Sequence, residues 1–372
     1  MTFSVFWSTM FLFGGAVGGT QQEIARATHP GEDSRSGPVL RRFTGLAVAA
    51  VVVVGAVASV FLGVDAFAAA PWSLSAAFLI GLVGYILTSI LTGVLYGLGR
   101  PAIVGGLIAT DAVLRGVAVV AGLLLGAPME YLAFAIALPF GLAVGAVWLV
   151  VRARVRHRYR VDGSVRMLVA NASRTVLASA SLGVMVAGLP LLLGVTLPDA
   201  TPAVAASLIL AITVTRAPLI IPLTALQSLL IVHLRGYAGN VRRRVLALLG
   251  LVAAVGAVAV LLGYVWGTPL IEFISNGNYS AEPVTLAVVI ASAALIGMMC
   301  VTSAALLAGS RHNAFLTGWV VAAALTIALL VFLPFDPIVR TLVGISVPPA
   351  VGLLIHLSVV LRMPVHGQGV RS

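Results

Sequence analysis

The sequence has little charge, a single cysteine and no lysine. Only 9% of its 372 residues are charged, while 60% are hydrophobic. Soluble domains carry about 25% charged residues. So few charges cannot cover a water-facing surface, which excludes an ordinary soluble protein and predicts a surface that mostly faces lipid. The one cysteine, Cys300, lies in an apolar stretch, and this excludes an intrachain disulfide and a cysteine metal cluster.

Sequence signatures of common enzymes are also missing. The chain has no HExxH, GxSxG or P-loop pattern, which mark zinc peptidases, serine hydrolases and phosphate-binding loops. No polar stretch is long enough for a nucleotide-binding domain, which argues against an ATP-driven pump. We therefore predict a protein that is not an enzyme, with no catalytic residue, no cofactor and no metal.

Long apolar stretches fill most of the chain. A membrane-spanning helix needs about 20 mostly apolar residues, and eleven stretches approach or exceed that length. They lie near residues 3–20, 43–64, 73–98, 101–126, 131–151, 167–193, 203–233, 244–267, 283–309, 313–334 and 338–361. The first contains Gly14, Gly15, Gly18 and Gly19 in two overlapping GxxxG spacings, a pattern that favours close helix packing in lipid.

The distribution of arginine predicts how these spans are oriented. Six arginines crowd into residues 152–166, and others, including Arg26, fall in the loops predicted at 21–42 and 234–243. The loops between these clusters carry acidic residues instead. Short arginine-rich loops stay on the cytoplasmic side during insertion. The pattern therefore predicts a multi-pass protein of the inner or plasma membrane, with the N-terminus outside and the C-terminus in the cytoplasm.

Nucleic-acid binding is the competing interpretation of an arginine run. A membrane loop explains the clusters without a further assumption, so we expect no nucleic-acid partner.

The basic segment also divides the chain. We predict an N-terminal helical bundle of five spans at 1–151, a cytoplasmic linker at 152–166, and a C-terminal bundle of six spans at 167–372. The first span runs in the same direction as the seventh, which predicts two parallel repeats, an arrangement known from transporters. The predicted fold class is an all-α polytopic membrane protein of about eleven helices in bundles of five and six.

Few ionisable residues lie inside the apolar stretches, and these form the candidate site. Each costs at least ~2.5 kcal/mol at membrane depth and therefore suggests a function. Asp111 and Arg115 stand four residues apart, so they share a helix face and can pair. Arg174, beside Asn171, and Arg216 have no evident acidic partner. Three arginines against one carboxylate favour an anionic ligand, because guanidinium groups bind phosphate oxygens through paired hydrogen bonds. Binding to lipid headgroups, carbonyls or helix ends is the alternative.

Three stretches resemble a known family. GGAVGGTQQEIARAT (14–28) and TVTRAPLIIPLTALQSLLIVHLR (213–235) are similar to helix regions of actinobacterial polysaccharide biosynthesis membrane proteins, and FISNGNYSAEP (273–283) is similar to one of their outer loops. Those proteins belong to the MOP (multidrug/oligosaccharidyl-lipid/polysaccharide) superfamily, which also includes lipid II flippases and MATE antiporters. The likeness covers nearly the whole chain. The family's opening helix has no counterpart here, so the chain looks like a member that lacks the first helix.

The resemblance implies a V-shaped pair of bundles that flips a polyprenyl-pyrophosphate-linked oligosaccharide by alternating access, for cell-surface polysaccharide biosynthesis. It implies that arginines of the cavity bind the pyrophosphate. Our first candidate for that contact is Arg216, followed by Arg174 and Arg115, with Asn171 beside Arg174 as a further candidate. Asp111 would be a coupling residue or a structural partner. Membrane lipids and the glycosyltransferases or polymerase of the same pathway would be partners. Three alternatives remain: a MATE-like multidrug/cation antiporter, a non-transporting membrane partner in envelope assembly, and a membrane glycosyl or acyl transferase. The absence of acidic or histidine clusters in the predicted outer loops argues against the last.

Overall fold

The computed structural model describes residues 2–65, 67, 70–155, 158–196, 202–237 and 239–363, and nearly all of this chain is helical. Its helices and two short strands are α1 (Thr2–Val17), α2 (Gly19–Ala27), β1 (Thr28–Pro30), α3 (Ser36–Asp65), α4 (Pro71–Gly97), α5 (Pro101–Leu124), α6 (Met129–Val155), β2 (Tyr159–Val161), α7 (Val165–Val186), α8 (Leu189–Thr196), α9 (Pro202–Arg235), α10 (Val241–Ile274), α11 (Pro283–Ala308), α12 (His312–Phe332) and α13 (Pro337–Val360).

Ten helices of the described chain are long and apolar enough to cross a membrane, namely α3 to α7 and α9 to α13. Nine predicted spans are single helices. The predicted first span comprises α1 and the beginning of α2, which are separated at Gly18, and the predicted sixth is divided between α7 and α8. The chain is therefore a multi-pass membrane protein, and the predicted all-α polytopic fold class of about eleven helices is confirmed.

The chain forms two compact units, Met1–Ala180 and Ser181–Ser372, whose boundary lies within α7. In the first unit the central helix is α4, which packs against α1, α2, α3 and α6, while α6 also packs against α5. In the second unit the central helix is α11, which packs against α9, α10 and α13, while α13 also packs against α12. This shared order of partners supports the predicted parallel repeat, with α1 and α2 corresponding to α9. The domain limits predicted around 152–166 stay a prediction.

The two central helices are buried far more than their neighbours. The most apolar windows of α4 and α11 are each 67% buried, whereas those of α3 and α5 are 11% buried. Glycines allow α4 to be surrounded in this way. A Cβ on Gly84 would lie 2.7 Å from the backbone nitrogen of Gly141, and one on Gly97 would lie 2.8 Å from the backbone oxygen of Thr28. Neighbouring backbones thus approach α4 to a distance that a larger residue would prevent.

The arginine-rich segment predicted as a linker is largely structured. Helix α6 continues to Val155, and β2 pairs antiparallel with β1, so that Thr28 lies opposite Val161. The Nε2 atom of His29 lies 2.6 Å from Oδ2 of Asp162. Residues 156 and 157 lie outside the described residues. The segment is therefore anchored to the end of α2 and is not an independent loop.

Close packing at the predicted GxxxG pattern is found at some of its glycines only. A Cβ on Gly19 would overlap the backbone oxygen of Thr175 on α7, and one on Gly14 would lie 3.2 Å from the Tyr85 ring. A Cβ on Gly15 would meet no atom within 4 Å. Gly19 therefore sets the distance between α2 and the first half of α7.

Substitution of Gly19 is expected to weaken the first unit. The methyl group of Gly19→Ala must push α2 away from the α7 backbone, and overpacking of this kind costs about 1–3 kcal/mol. The matched control is Gly15→Ala, which is expected to be neutral or to stabilise by roughly 0.5–1 kcal/mol, because alanine is the better helix former. Unfolding midpoints of the two purified variants in detergent provide the measurement. Equal midpoints would contradict this packing.

Candidate functional site

A carboxylate in a segment predicted to be a loop is buried among polar side chains. Because α2 continues to Ala27, Glu23 lies on a helix and is fully buried. Its carboxylate accepts two hydrogen bonds from Arg26, at 2.7 Å from Nε to Oε2 and 2.6 Å from Nη2 to Oε1. Arg26 is itself only 7% exposed. The prediction that Arg26 lies in a loop is therefore wrong.

Two predicted site residues join this pair. The amide of Asn171 donates from Nδ2 to Oε1 of Glu23 at 3.1 Å. Arg174, which is half-buried, donates from Nη1 to Oδ1 of Asn171 at 3.0 Å. The sequence had indicated no acidic group for Arg174, but the structure links it to Glu23 through Asn171. We call these four residues the Glu23 cluster, and its two guanidinium groups and one carboxylate leave it with one net positive charge.

The predicted pair of Asp111 and Arg115 is confirmed. Nη2 of Arg115 lies 2.5 Å from Oδ2 of Asp111, and the two side chains are 13% and 20% exposed. The guanidinium also stands over the ring of Phe140 on α6, at 4.1 Å, and near Phe11 on α1, at 5.6 Å. Such cation–π contacts strengthen when they are shielded from water. Within the described chain, Oδ1 of Asp111 and Nη1 of Arg115 have no hydrogen-bond partner.

Arg216 is the least satisfied arginine of the predicted site. It is 3% exposed and lies on α9, about 20 Å along that helix from its first residue. Nη1 donates to the backbone oxygen of Met185 at 3.4 Å, which is long for a hydrogen bond. Its Nε has no partner among the described residues, and no described carboxylate forms an ion pair with it. A guanidinium has five N–H donors, so most of its bonding capacity remains unused.

The predicted site residues are thus distributed over three places. Asn171 and Arg174 lie together in the Glu23 cluster, Asp111 and Arg115 form a second pair in the same unit, and Arg216 lies in the other unit. Whether they bind one substrate stays a prediction.

Comparison with known proteins shows the chain's family. It is 31% identical over 371 residues to the uncharacterized protein Rv3630 of Mycobacterium tuberculosis strain H37Rv, covering 97% of this chain and 84% of that protein. It is 32% identical over 377 aligned positions to the uncharacterized protein Rv1510 of the same strain, with the same coverage. The chain belongs to the family of these mycobacterial proteins. No family model matches the sequence.

This member of the mycobacterial family has the fold of MATE transporters. The Vibrio cholerae MATE transporter VcmN in its bent form matches with a TM-score of 0.68 at 18% identity, covering 96% of this chain and 87% of that one. A MOP superfamily transporter from Pyrococcus furiosus also matches at 0.68, with 13% identity and 97% and 87% coverage. At such identities the likeness establishes the fold alone. The MOP fold expected from the resemblance is confirmed, and the polysaccharide subtype stays a prediction.

Sequence reasoning missed Glu23 and Arg26, although a signal for them was present. The two residues stand three apart, a spacing at which helical side chains meet. The polar residues Gln21 and Gln22 precede them, and this polarity suggested that the span had ended. The helix instead continues, because it packs on α4, where Gly93 lets Ile24 approach closely.

Proposed function

We propose that the chain is a membrane transporter that flips a polyprenyl-pyrophosphate-linked oligosaccharide by alternating access, for the synthesis of cell-surface polysaccharide. The observation that carries this proposal is the environment of Arg216, a guanidinium 3% exposed that makes one long hydrogen bond within the described part of the chain. A buried cation with so few hydrogen-bond partners is costly. A pyrophosphate would supply both the missing charge and the missing acceptors, because phosphate oxygens match the guanidinium fork.

The net charge of the polar clusters also supports an anionic substrate. The Glu23 cluster, the Asp111–Arg115 pair and Arg216 hold four arginines and two carboxylates. The three arginines and one carboxylate predicted from the sequence did not include Glu23 and Arg26, but these two residues add one charge of each sign. The excess of two positive charges is therefore the same in the structure as in the sequence. A positive excess at buried positions favours anions over cations.

The remaining site residues take secondary roles in this proposal. Arg174 is half-buried and has donors beyond its bond to Asn171, so it is proposed as a second contact for the pyrophosphate. Arg115 is already bound by Asp111, and this pair would respond to substrate indirectly, with Asp111 as the coupling or structural partner. The proposed orientation has the N-terminus outside and the C-terminus in the cytoplasm. Glycosyltransferases or a polymerase of the same pathway are the proposed protein partners.

A MATE-like cation antiporter is the second candidate, and the buried carboxylates weigh against it. Such a mechanism needs a carboxylate that can take up a cation or a proton. Glu23 is bound by Arg26 on both oxygens, and Asp111 is bound by Arg115. A cation would have to displace a guanidinium at Glu23, and at Asp111 it would meet the positive charge of the adjacent Arg115. This arrangement favours the anionic substrate.

A reconstituted flipping assay tests the proposal. The purified chain is placed in liposomes with a fluorescent short-chain polyprenyl-pyrophosphate disaccharide, and a membrane-impermeant quencher reports the fraction in the outer leaflet. We expect flipping to be roughly tenfold or more faster than for the same glycolipid without its pyrophosphate, since hydrogen bonds to charged groups contribute at least that factor. Equal flipping rates for the two glycolipids would contradict the proposal. Proton-coupled export of a cationic drug would support the antiporter instead.

A further inference from the structure

The first unit contains a cavity of about 700 Å³ near the arginine-rich ends of α3 and α6. It is bounded by the first turns of α3, the second half of α4, the last turns of α6 and the strand β2. Pockets that hold small organic ligands range over roughly 300–1,000 Å³. The cavity is therefore large enough for a ligand, and it shares no residue with the Glu23 cluster or with the Asp111–Arg115 pair.

The side of the cavity formed by α4 is apolar. Its wall includes Leu87, Ile90, Leu91 and Val94 of α4, which face Val144 of α6. Leu87 and Val94 lie seven residues apart on α4, so the wall covers a length of about 10 Å. Contact of water with such an apolar surface is unfavourable, whereas an alkyl chain that covers the surface would remove it from water.

The mouth of the cavity is cationic. Arg41 on α3 and Arg152 on α6 both line it, and both are exposed. Neither arginine has an ion pair or hydrogen bond with any described residue. Tyr159 also lines the mouth, and burial raises the pKa of its phenol, which therefore remains a neutral hydrogen-bond donor. Two guanidinium groups and a phenol form a mouth suited to a phosphate.

One carboxylate lies at the mouth, and its bonds are directed toward the start of α3. Asp33 accepts hydrogen bonds from the backbone N–H of Arg35 at 2.9 Å and from the hydroxyl of Ser36 at 2.8 Å. These bonds hold the pKa of Asp33 below its usual value. Asp33 thus orders the first turn of α3 and leaves the mouth with a net positive charge.

We propose that this cavity binds an anionic phospholipid, with its phosphate at Arg41 and Arg152 and one acyl chain along the α4 wall. Basic pockets between membrane helices are suited to anionic headgroups. A soluble phosphate would leave the apolar wall uncovered, and a neutral lipid would leave both arginines without a counter-charge. An anionic phospholipid matches both the arginines and the apolar wall of the cavity. This site is independent of the proposed transport function.

Lipid-dependent stability of the full chain in detergent tests the proposal. The melting temperature is measured during titration with phosphatidylglycerol, with phosphatidylcholine of the same acyl chains, and with inorganic phosphate. We expect phosphatidylglycerol alone to raise it. An equal rise with phosphatidylcholine would show general apolar binding, and an equal rise with inorganic phosphate would show an anion site without a lipid. Either result overturns the proposal.

Variants of the lining residues test whether phosphatidylglycerol binds in this cavity. Arg41→Gln combined with Arg152→Gln is expected to weaken phosphatidylglycerol binding roughly tenfold or more. The matched control combines Arg42→Gln with Arg158→Gln, which removes the same charge from exposed arginines that do not line the cavity. Val144→Phe fills the cavity without changing charge and should also abolish the effect. Equal binding by the Arg41/Arg152 variant and by its control overturns the assigned site, whether or not Val144→Phe folds.

Discussion

Replacement of Glu23 by alanine is expected to destabilise the first unit by about 3–5 kcal/mol, the range seen when one partner of a buried ion pair is removed. Glu23 is fully buried and accepts hydrogen bonds from both Arg26 and Asn171. Without this carboxylate the Arg26 guanidinium stays buried while its positive charge loses the negative charge that compensates it. Thermal or denaturant unfolding of the purified variant in detergent measures the loss.

Two further variants separate the ion pair from a general effect of charge. Glu32→Ala removes an exposed carboxylate from the loop that follows and is expected to change stability by less than about 0.5 kcal/mol. The double variant Glu23→Leu/Arg26→Met removes both charges, and replacements of this kind are often close to neutral. We therefore expect the double variant to recover most of what Glu23→Ala loses. If Glu23→Ala proved as stable as Glu32→Ala, the buried pair would have no energetic importance.

Arg216→Gln is expected to slow flipping of the pyrophosphate lipid by roughly 10- to 150-fold, the factor that corresponds to about 1.5–3 kcal/mol for hydrogen bonds to a charged group. The same change should leave the stability of the second unit unchanged or increase it, because Arg216 is a buried charge held by one bond of 3.4 Å. Loss of transport without loss of stability distinguishes a substrate contact from a structural residue. The flipping assay and an unfolding curve on the same preparation provide both values.

Conservative and distant substitutions complete this test. Arg216→Lys keeps the charge but loses the planar fork, so its rate should lie between those of the original protein and of Arg216→Gln. Arg362→Gln removes an exposed arginine beyond the end of α13 and should leave the rate unchanged. A stable Arg216→Gln protein that flips at the original rate would falsify the role of this residue.

The sequence was most informative where one local property decides the structure. Length and apolar composition suffice to predict α10 or α11, because the backbone of a long apolar segment in lipid must satisfy its own hydrogen bonds, as a helix does. The Asp111–Arg115 pair could be predicted because helix geometry alone brings residues four apart together. The break between α7 and α8 also had a local signal, since Gly188 and Pro190 both disfavour a continuous helix.

The rest depended on contacts between residues far apart in the chain. Burial of Glu23 requires Asn171, which lies 148 residues later, and pairing of β1 with β2 requires an approach over a similar distance. The depth of Arg216 could be estimated from its distance to Pro202, but its contact with the Met185 carbonyl could not. No periodicity within one segment indicates such partners.

The spacing of the Glu23 cluster has a consequence for biogenesis. At a synthesis rate of 5–20 residues per second, Asn171 leaves the ribosome roughly 7–30 s after Glu23. During that interval Glu23 lacks the hydrogen bond from Asn171. The three-residue spacing lets Arg26 neutralise Glu23 within the same helix turn, so the charge of Glu23 can be compensated before Asn171 is made.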